Sequence, residues 1–123
     1  MIGLGIDLCE IARIEATLAK TDGFLRRYYS AEERDYLAAR GQTLAQSAAA
    51  MFAAKEAFLK ALGTGLSGGV AMADVCVTHD AQGCPAYRLE EKALAAMRGI
   101  GAQTAHLSLT HDAGMAAAVC ILE

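Results

Sequence analysis

The chain has 123 residues, 54% of them hydrophobic, and a formal net charge of −3. That length suits one domain, residues 1–123, able to bury a core of its own, and the negative balance argues against nucleic acid as a partner. No stretch approaches the roughly 18 uninterrupted apolar residues of a membrane span, and the N-terminus lacks the basic region of a signal peptide, so a cytoplasmic protein with no membrane partner is expected.

In chain order, Ile2 to Asp7 reads as a short buried strand. It leads into a helix whose apolar residues Ile11, Ile14 and Leu18 recur at helical spacing. Ser30-Ala-Glu-Glu33 has capping-box form and predicts a second helix through about Ala39. Gly41-Gln-Thr is a connector, after which a long helix is expected from about Leu44 to Leu62, stopped by Gly63. Gly65 to Gly69 reads as a turn-rich loop. Asp74 to Thr78 alternates as a strand, and Asp80 to Pro85 turns the chain into a partner strand, Ala86 to Leu89. A short helix, Glu91 to Arg98, closes at Gly99. Ala105 to Thr110 and Met115 to Leu122 then flank a four-residue hairpin loop, His111-Asp-Ala-Gly114. Helices early and antiparallel strands late make the class α+β: a small antiparallel sheet packed against a long helix and shorter helices. The four cysteines, Cys9, Cys76, Cys84 and Cys120, have no C-x-x-C spacing and read as small core residues rather than zinc ligands or a disulfide framework.

The long helix carries the chemistry. Leu44, Ala48, Met51, Phe58 and Leu62 form one apolar stripe, and Lys55 falls inside it, where it must snorkel to an edge or meet an anion. Glu56 and Lys60 lie one turn apart at the margin of the stripe. Alone they would be an ordinary surface ion pair, which contributes little. Asp7, after an apolar strand, is either the N-cap of the next helix or a strand-end functional group. Asp7 and Glu56 together would supply two hard oxygen ligands, the usual protein share of a Mg²⁺ bound with a polyphosphate. Beyond the helix, Gly63 and Gly65 let the backbone approach a ligand closely. Carboxylates, a cation and a glycine loop point to a phosphate-bearing substrate. Ser108, Thr110 and His106 share one strand face by alternation, and His111 is placed just past the strand, structural in a bare hairpin but suited to an anion if a phosphate lies nearby.

Gly5-Ile-Asp7 with Glu10-Ile-Ala-Arg13-Ile14, and Phe52-Ala-Ala-Lys-Glu-Ala57 with Lys60-Ala-Leu-Gly-Thr-Gly65, resemble holo-acyl-carrier-protein synthase, the short bacterial type of 4′-phosphopantetheinyl transferase. Gly83-Cys-Pro85 and Ser108-Leu-Thr-His111 look like the remaining two landmarks, so the resemblance spans essentially the whole chain. It implies a Mg²⁺-dependent transfer of the phosphopantetheine arm of coenzyme A to a serine of apo acyl carrier protein, with release of adenosine 3′,5′-bisphosphate. By the same resemblance Asp7 and Glu56 hold the metal and Lys60 contacts the phosphates. Gly63, Thr64 and Gly65 lie against coenzyme A, Ser108 and His111 contribute to nucleotide binding, and Arg13 docks the acidic carrier. Glu56 is a candidate for removing the serine proton, as is a metal-bound water, with His111 as an assistant; sequence does not decide between them. Lys20, Arg26 and Arg27 gather near Arg13 in the sequence. The family type is a homotrimer with active sites at subunit interfaces. Two positions depart from the pattern: Met51 stands where the family usually has a basic residue, and Thr110 where it has Ser. Met51 alone favours the alternative of a non-catalytic trimer that binds coenzyme A or the carrier. A Mg²⁺-dependent hydrolase of nucleotide diphosphates is a third reading, in which Arg13 has no role.

Overall fold

The computed structural model describes the backbone of residues 1–123 and the side chains of all but Leu66 and Ser67. Its elements run β1 (Gly3–Glu10), α1 (Ile11–Lys20), α2 (Gly23–Tyr28), α3 (Ala31–Ala38), α4 (Leu44–Leu62), β2 (Val75–His79), β3 (Pro85–Leu89), α5 (Glu91–Gly99), β4 (Ala105–Asp112) and β5 (Met115–Leu122). Short 3-10 turns occupy Gly41–Thr43, Gly65–Gly68 and Met72–Asp74. The strands make an antiparallel sheet in the order β1-β5-β4 and a separate hairpin, β2-β3. This is the α+β arrangement expected, a small antiparallel sheet laid against one long helix.

Helix α4 is the centre of the molecule. Its core stripe is as the periodicity predicts, with Ala48, Met51, Phe58 and Leu62 buried, but alanines at 49, 53, 54, 57 and 61 are buried as well. Those small residues let β1 and β5 lie directly on the helix. The fit is closest at β1, where a side chain at Gly3 would meet the carbonyl of Ala61 and one at Gly5 the carbonyl of Ala57. Gly63 ends the helix in the left-handed conformation, φ 82°, that glycine adopts without penalty. Tyr29 and Tyr87 each donate a hydroxyl hydrogen bond of 2.6 Å to α4 carbonyls, of Ala48 and Ala54 respectively, which satisfies two otherwise costly buried groups.

Three local expectations are corrected. Strand β1 continues past Asp7 to Glu10, so Asp7 is a mid-strand residue on the α4 side, and Glu10 rather than Asp7 occupies the N-cap position of α1. Helix α2 was not expected: it starts on a glycine and is too short to show a period. His111 lies within β4, paired with Ala116, and the hairpin narrows to Ala113-Gly114, both with positive φ (51° and 78°), the turn that matches the twist of paired strands. The capping box of α3 forms as predicted, with Ser30 and Glu33 satisfying each other's backbone N–H groups. Lys55 meets an anion rather than snorkelling: its Nζ lies 2.6 Å from Glu33 Oε1, both side chains fully buried.

The face of the sheet turned away from α4 is apolar and open. Leu4, Ile6 and Leu8 are 56%, 64% and 63% exposed. They pair in register with Ile121, Val119 and Ala117 of β5, which pair in turn with His106, Ser108 and Thr110 of β4.

Candidate active site

Asp7 is positioned by β1, Glu56 and Lys60 by α4, and Arg13 by α1. Because Gly3 and Gly5 bring β1 against the helix, the Asp7 carboxylate reaches across to α4 and accepts a 2.8 Å hydrogen bond from Lys60 Nζ. Lys60 also donates to the carbonyl of Ile6 at 3.0 Å. The i,i+4 partners Glu56 and Lys60 therefore do not pair with one another: Lys60 binds Asp7, and Glu56 lines the cleft beside it. Asp7, Arg13 and Glu56 line a cleft of about 530 Å³ together with Thr17, Phe24 and Phe52.

The electrostatics of this cleft suit a cation. Burial pushes the Glu56 carboxyl up from its ordinary value, and the negative charge of Asp7 pushes it further, against the opposing pull of Lys60 and Arg13. The hydrogen bond to Asp7 holds the Lys60 ammonium above its usual range. Two carboxylates from separate rigid elements, one of them raised partly by the other's charge, form a hard-oxygen donor set of the kind Mg²⁺ takes. Among the described residues no group of three or more His, Cys, Asp or Glu side chains gathers as a metal site, so the remaining coordination would fall to substrate and water. Gly63, Thr64 and Gly65 follow directly on α4, one turn beyond Lys60, with Gly63 and Gly65 both at positive φ.

The second set of predicted residues lies elsewhere. His111 faces the N-terminal part of α4, its Nε2 3.2 Å from Gln46 Nε2. Gln46 and Glu56 are ten residues apart, about 15 Å along the helix axis. Ser108 is exposed on the outer face of the sheet. Within one chain, then, Asp7, Arg13, Glu56 and Lys60 come together, whereas Ser108 and His111 do not join them. His111 instead lines a smaller cleft of about 230 Å³ with Tyr36, Gln46, His79, Gly83 and Thr110. Met51 is fully buried, so the position where the family pattern has a basic residue is here filled by core packing.

Sequence reasoning missed two groups. Phe24, Tyr28 and Phe52 form an aromatic wall beside Arg13, with centroids 5.1 Å apart for Phe24–Tyr28 and 5.5 Å for Phe24–Phe52. Phe24 and Tyr28 are one helical turn apart and share a face of α2, a single pair too short to mark a helix in the sequence. His79 stacks on Tyr36 at 4.1 Å, and its Nδ1 is buried without a hydrogen-bond partner. Burial, with the Arg40 charge adding to it, pulls the His79 imidazole below its ordinary value. Of the basic residues near Arg13 in the sequence, Arg26 is paired with Asp22 at 2.6 Å and Arg27 lies over the Tyr28 ring at 5.3 Å.

The sequence profile of the 4′-phosphopantetheinyl transferase superfamily matches residues 3–120. The chain belongs to that superfamily. A holo-[acyl-carrier-protein] synthase of Treponema denticola is 44% identical over 123 residues, covering all of this chain and 98% of the relative. Among solved structures, the holo-[acyl-carrier-protein] synthase of Neisseria meningitidis superposes with a TM-score of 0.90 at 30% identity, covering 100% of this chain and 99% of that one. The Helicobacter pylori enzyme in complex with coenzyme A superposes with a TM-score of 0.83, also at 30% identity, over 98% and 99% of the two chains. The chain is thus a phosphopantetheinyl transferase of the holo-acyl-carrier-protein synthase type, and coenzyme A is the molecule bound by a structural relative.

Proposed function

We propose that this protein moves the phosphopantetheine arm of coenzyme A onto a serine of an apo acyl carrier protein and releases adenosine 3′,5′-bisphosphate. The observation that carries the reading is the convergence of Asp7, Glu56 and Lys60 across the β1–α4 contact. Asp7 and Glu56 would hold Mg²⁺, which when bound neutralises charge on the diphosphate oxygens. Lys60 is free to exchange Asp7 for a phosphate oxygen and to stabilise the charge that gathers on the leaving group. The carrier serine oxygen forms a bond to the β-phosphorus while the bond to the bridging oxygen breaks, so the bisphosphate departs with the electron pair. Glu56, which lines the cleft with Asp7, is the carboxylate placed to take the serine proton. Gly63 to Gly65, with positive φ at both glycines, would let the backbone run along the coenzyme.

Arg13, beside the aromatic wall of Phe24, Tyr28 and Phe52, supplies a charged and apolar docking edge for an acidic carrier helix. The protein acts as a homotrimer in the cytoplasm, and 1–123 is one transferase domain. Two features support the trimer: the open apolar face of Leu4, Ile6 and Leu8, and the separation of the Asp7 and His111 clefts in one chain. Packing of copies through that face would cover Leu4, Ile6 and Leu8, and a site shared between chains would give Ser108 and His111 their role on the nucleotide. No helix among the described residues is long and apolar enough to cross a membrane.

Transfer kinetics of three variants test the site. Asp7→Ala and Glu56→Ala abolish transfer and weaken Mg²⁺-dependent binding of coenzyme A, while Lys60→Ala lowers kcat more than it raises the KM for carrier. Lys60→Ala acting only on the carrier KM would contradict the assignment.

A further inference from the structure

Among the described residues, only two charged side chains are fully buried, Glu33 and Lys55, and they touch each other. Lys55 precedes Glu56 in α4 but, about a quarter-turn round the helix, points into the packing between α4, α3 and β2. All three hydrogen-bonding positions of its ammonium are used: Glu33 Oε1 at 2.6 Å, the carbonyl of Met72 at 3.1 Å and the carbonyl of Val75 at 2.8 Å. Glu33 is equally committed, accepting from the N–H groups of Ser30 at 2.9 Å and Val77 at 2.8 Å. A pair that costs so much desolvation is weak as a stabiliser, and apolar residues would fill the same space as well. What it does provide is location: the ammonium pins one short segment, Met72 to Val75, to the helix that carries Glu56 and Lys60.

That segment matters to the cleft. Met72 is buried and lines it alongside Asp7 and Glu56. It also ends the stretch that begins with the glycine loop at Gly63. We infer that Lys55 is a positioning residue for the transferase, tethering the Met72 wall and the end of the glycine loop to α4 so that coenzyme A meets a preformed cleft. The inference rests on the proposed reading of the Asp7 cleft. Glu33 serves it by holding the ammonium in place while capping α3.

The test compares three variants at a temperature where circular dichroism shows each fully folded. Lys55→Met cuts the tether. Glu33→Gln weakens the buried pair but leaves the Lys55 bonds to the Met72 and Val75 carbonyls. Met72→Ala removes the wall and leaves the pair intact. All three lower the melting temperature. Only Lys55→Met and Met72→Ala raise the KM for coenzyme A, by about tenfold, with kcat changed much less. A purely structural role predicts that Lys55→Met and Glu33→Gln behave alike, with activity lost only in proportion to the unfolded fraction and KM unmoved; that result overturns the inference. An unchanged KM in Met72→Ala overturns it too, and carries the test if Lys55→Met does not fold. A wild-type protein that transfers nothing removes the reading on which the inference stands.

Discussion

The approach of β1 to α4 can be tested by adding a single methyl group. In Gly5→Ala the new Cβ would lie 2.8 Å from the backbone nitrogen of Ala61 and 2.9 Å from the carbonyl carbon of Ala57, with the Ala57 oxygen nearer still. Real Cβ atoms do not come within 3.0 Å of such neighbours, and every atom in the way is helix backbone, which cannot rotate aside as a side chain does. Strand and helix must therefore separate. Overpacking of this kind costs about 1–3 kcal/mol. For a domain of this size that is a fall in Tm of roughly 4–12 °C. The same movement carries Asp7 away from Glu56 and Lys60, so transfer should fall by at least tenfold in the fraction that remains folded, on the order of the penalty for ångström-scale misplacement. Differential scanning calorimetry and initial rates of carrier modification measure the two effects on one preparation. Gly99→Ala is the control: nothing lies within 4 Å of its added Cβ and its φ is not positive, so it should be neutral or stabilise by up to about 1 kcal/mol. Wild-type Tm and rate in Gly5→Ala would refute the claim that this contact sets the site.

Three further outcomes follow from the charges. Glu56 has a folded-state proton affinity raised by burial and by Asp7, so its contribution favours the folded state fully below the ordinary value near 4.5 and is lost as pH rises through the folded value. In metal-free protein, Glu56→Gln should accordingly raise Tm at pH 7 to 8, with the gain vanishing below about pH 4, even as it removes activity; a pH-independent change in Tm would point to packing instead. Added Mg²⁺ should raise the Tm of the wild type and leave Asp7→Ala unmoved, because only a ligand held by the folded state stabilises it. Arg13→Ala should raise the KM for carrier protein and leave that for coenzyme A nearly constant, and the reverse pattern would displace the docking edge from α1.

Much of this arrangement was legible in the chain because local signals agreed with the tertiary result. Helix α4 runs from Leu44 to Leu62 as read, since a continuous run of helix formers ends in a glycine that can take the left-handed cap. The box at Ser30 and Glu33 starts α3 for the same kind of reason. What escaped depends on contacts between distant residues. Nothing local says that Gly3 and Gly5 are there for the carbonyls of Ala61 and Ala57, or that Lys60 turns to Asp7 rather than to Glu56. The break of the apolar run at Asp7 suggests a strand end, yet pairing of Leu8, Cys9 and Glu10 with β5 carries the strand on to Glu10. Lys55 inside the apolar stripe was the plainest anomaly in the sequence, and its answer, Glu33, was hidden because that residue already had a local role in capping. The separation of Ser108 and His111 from the metal-type carboxylates is likewise a property of strand order, β5 standing between β1 and β4.

Transfer itself is read most directly from the mass of the acceptor. Purified protein, apo acyl carrier protein, coenzyme A and Mg²⁺ are incubated together and the carrier is weighed intact. The carrier serine should gain one phosphopantetheine, blocked by EDTA and absent with Glu56→Ala. Coenzyme A binding without any gain on a panel of apo carriers would contradict it and leave a binding protein in its place.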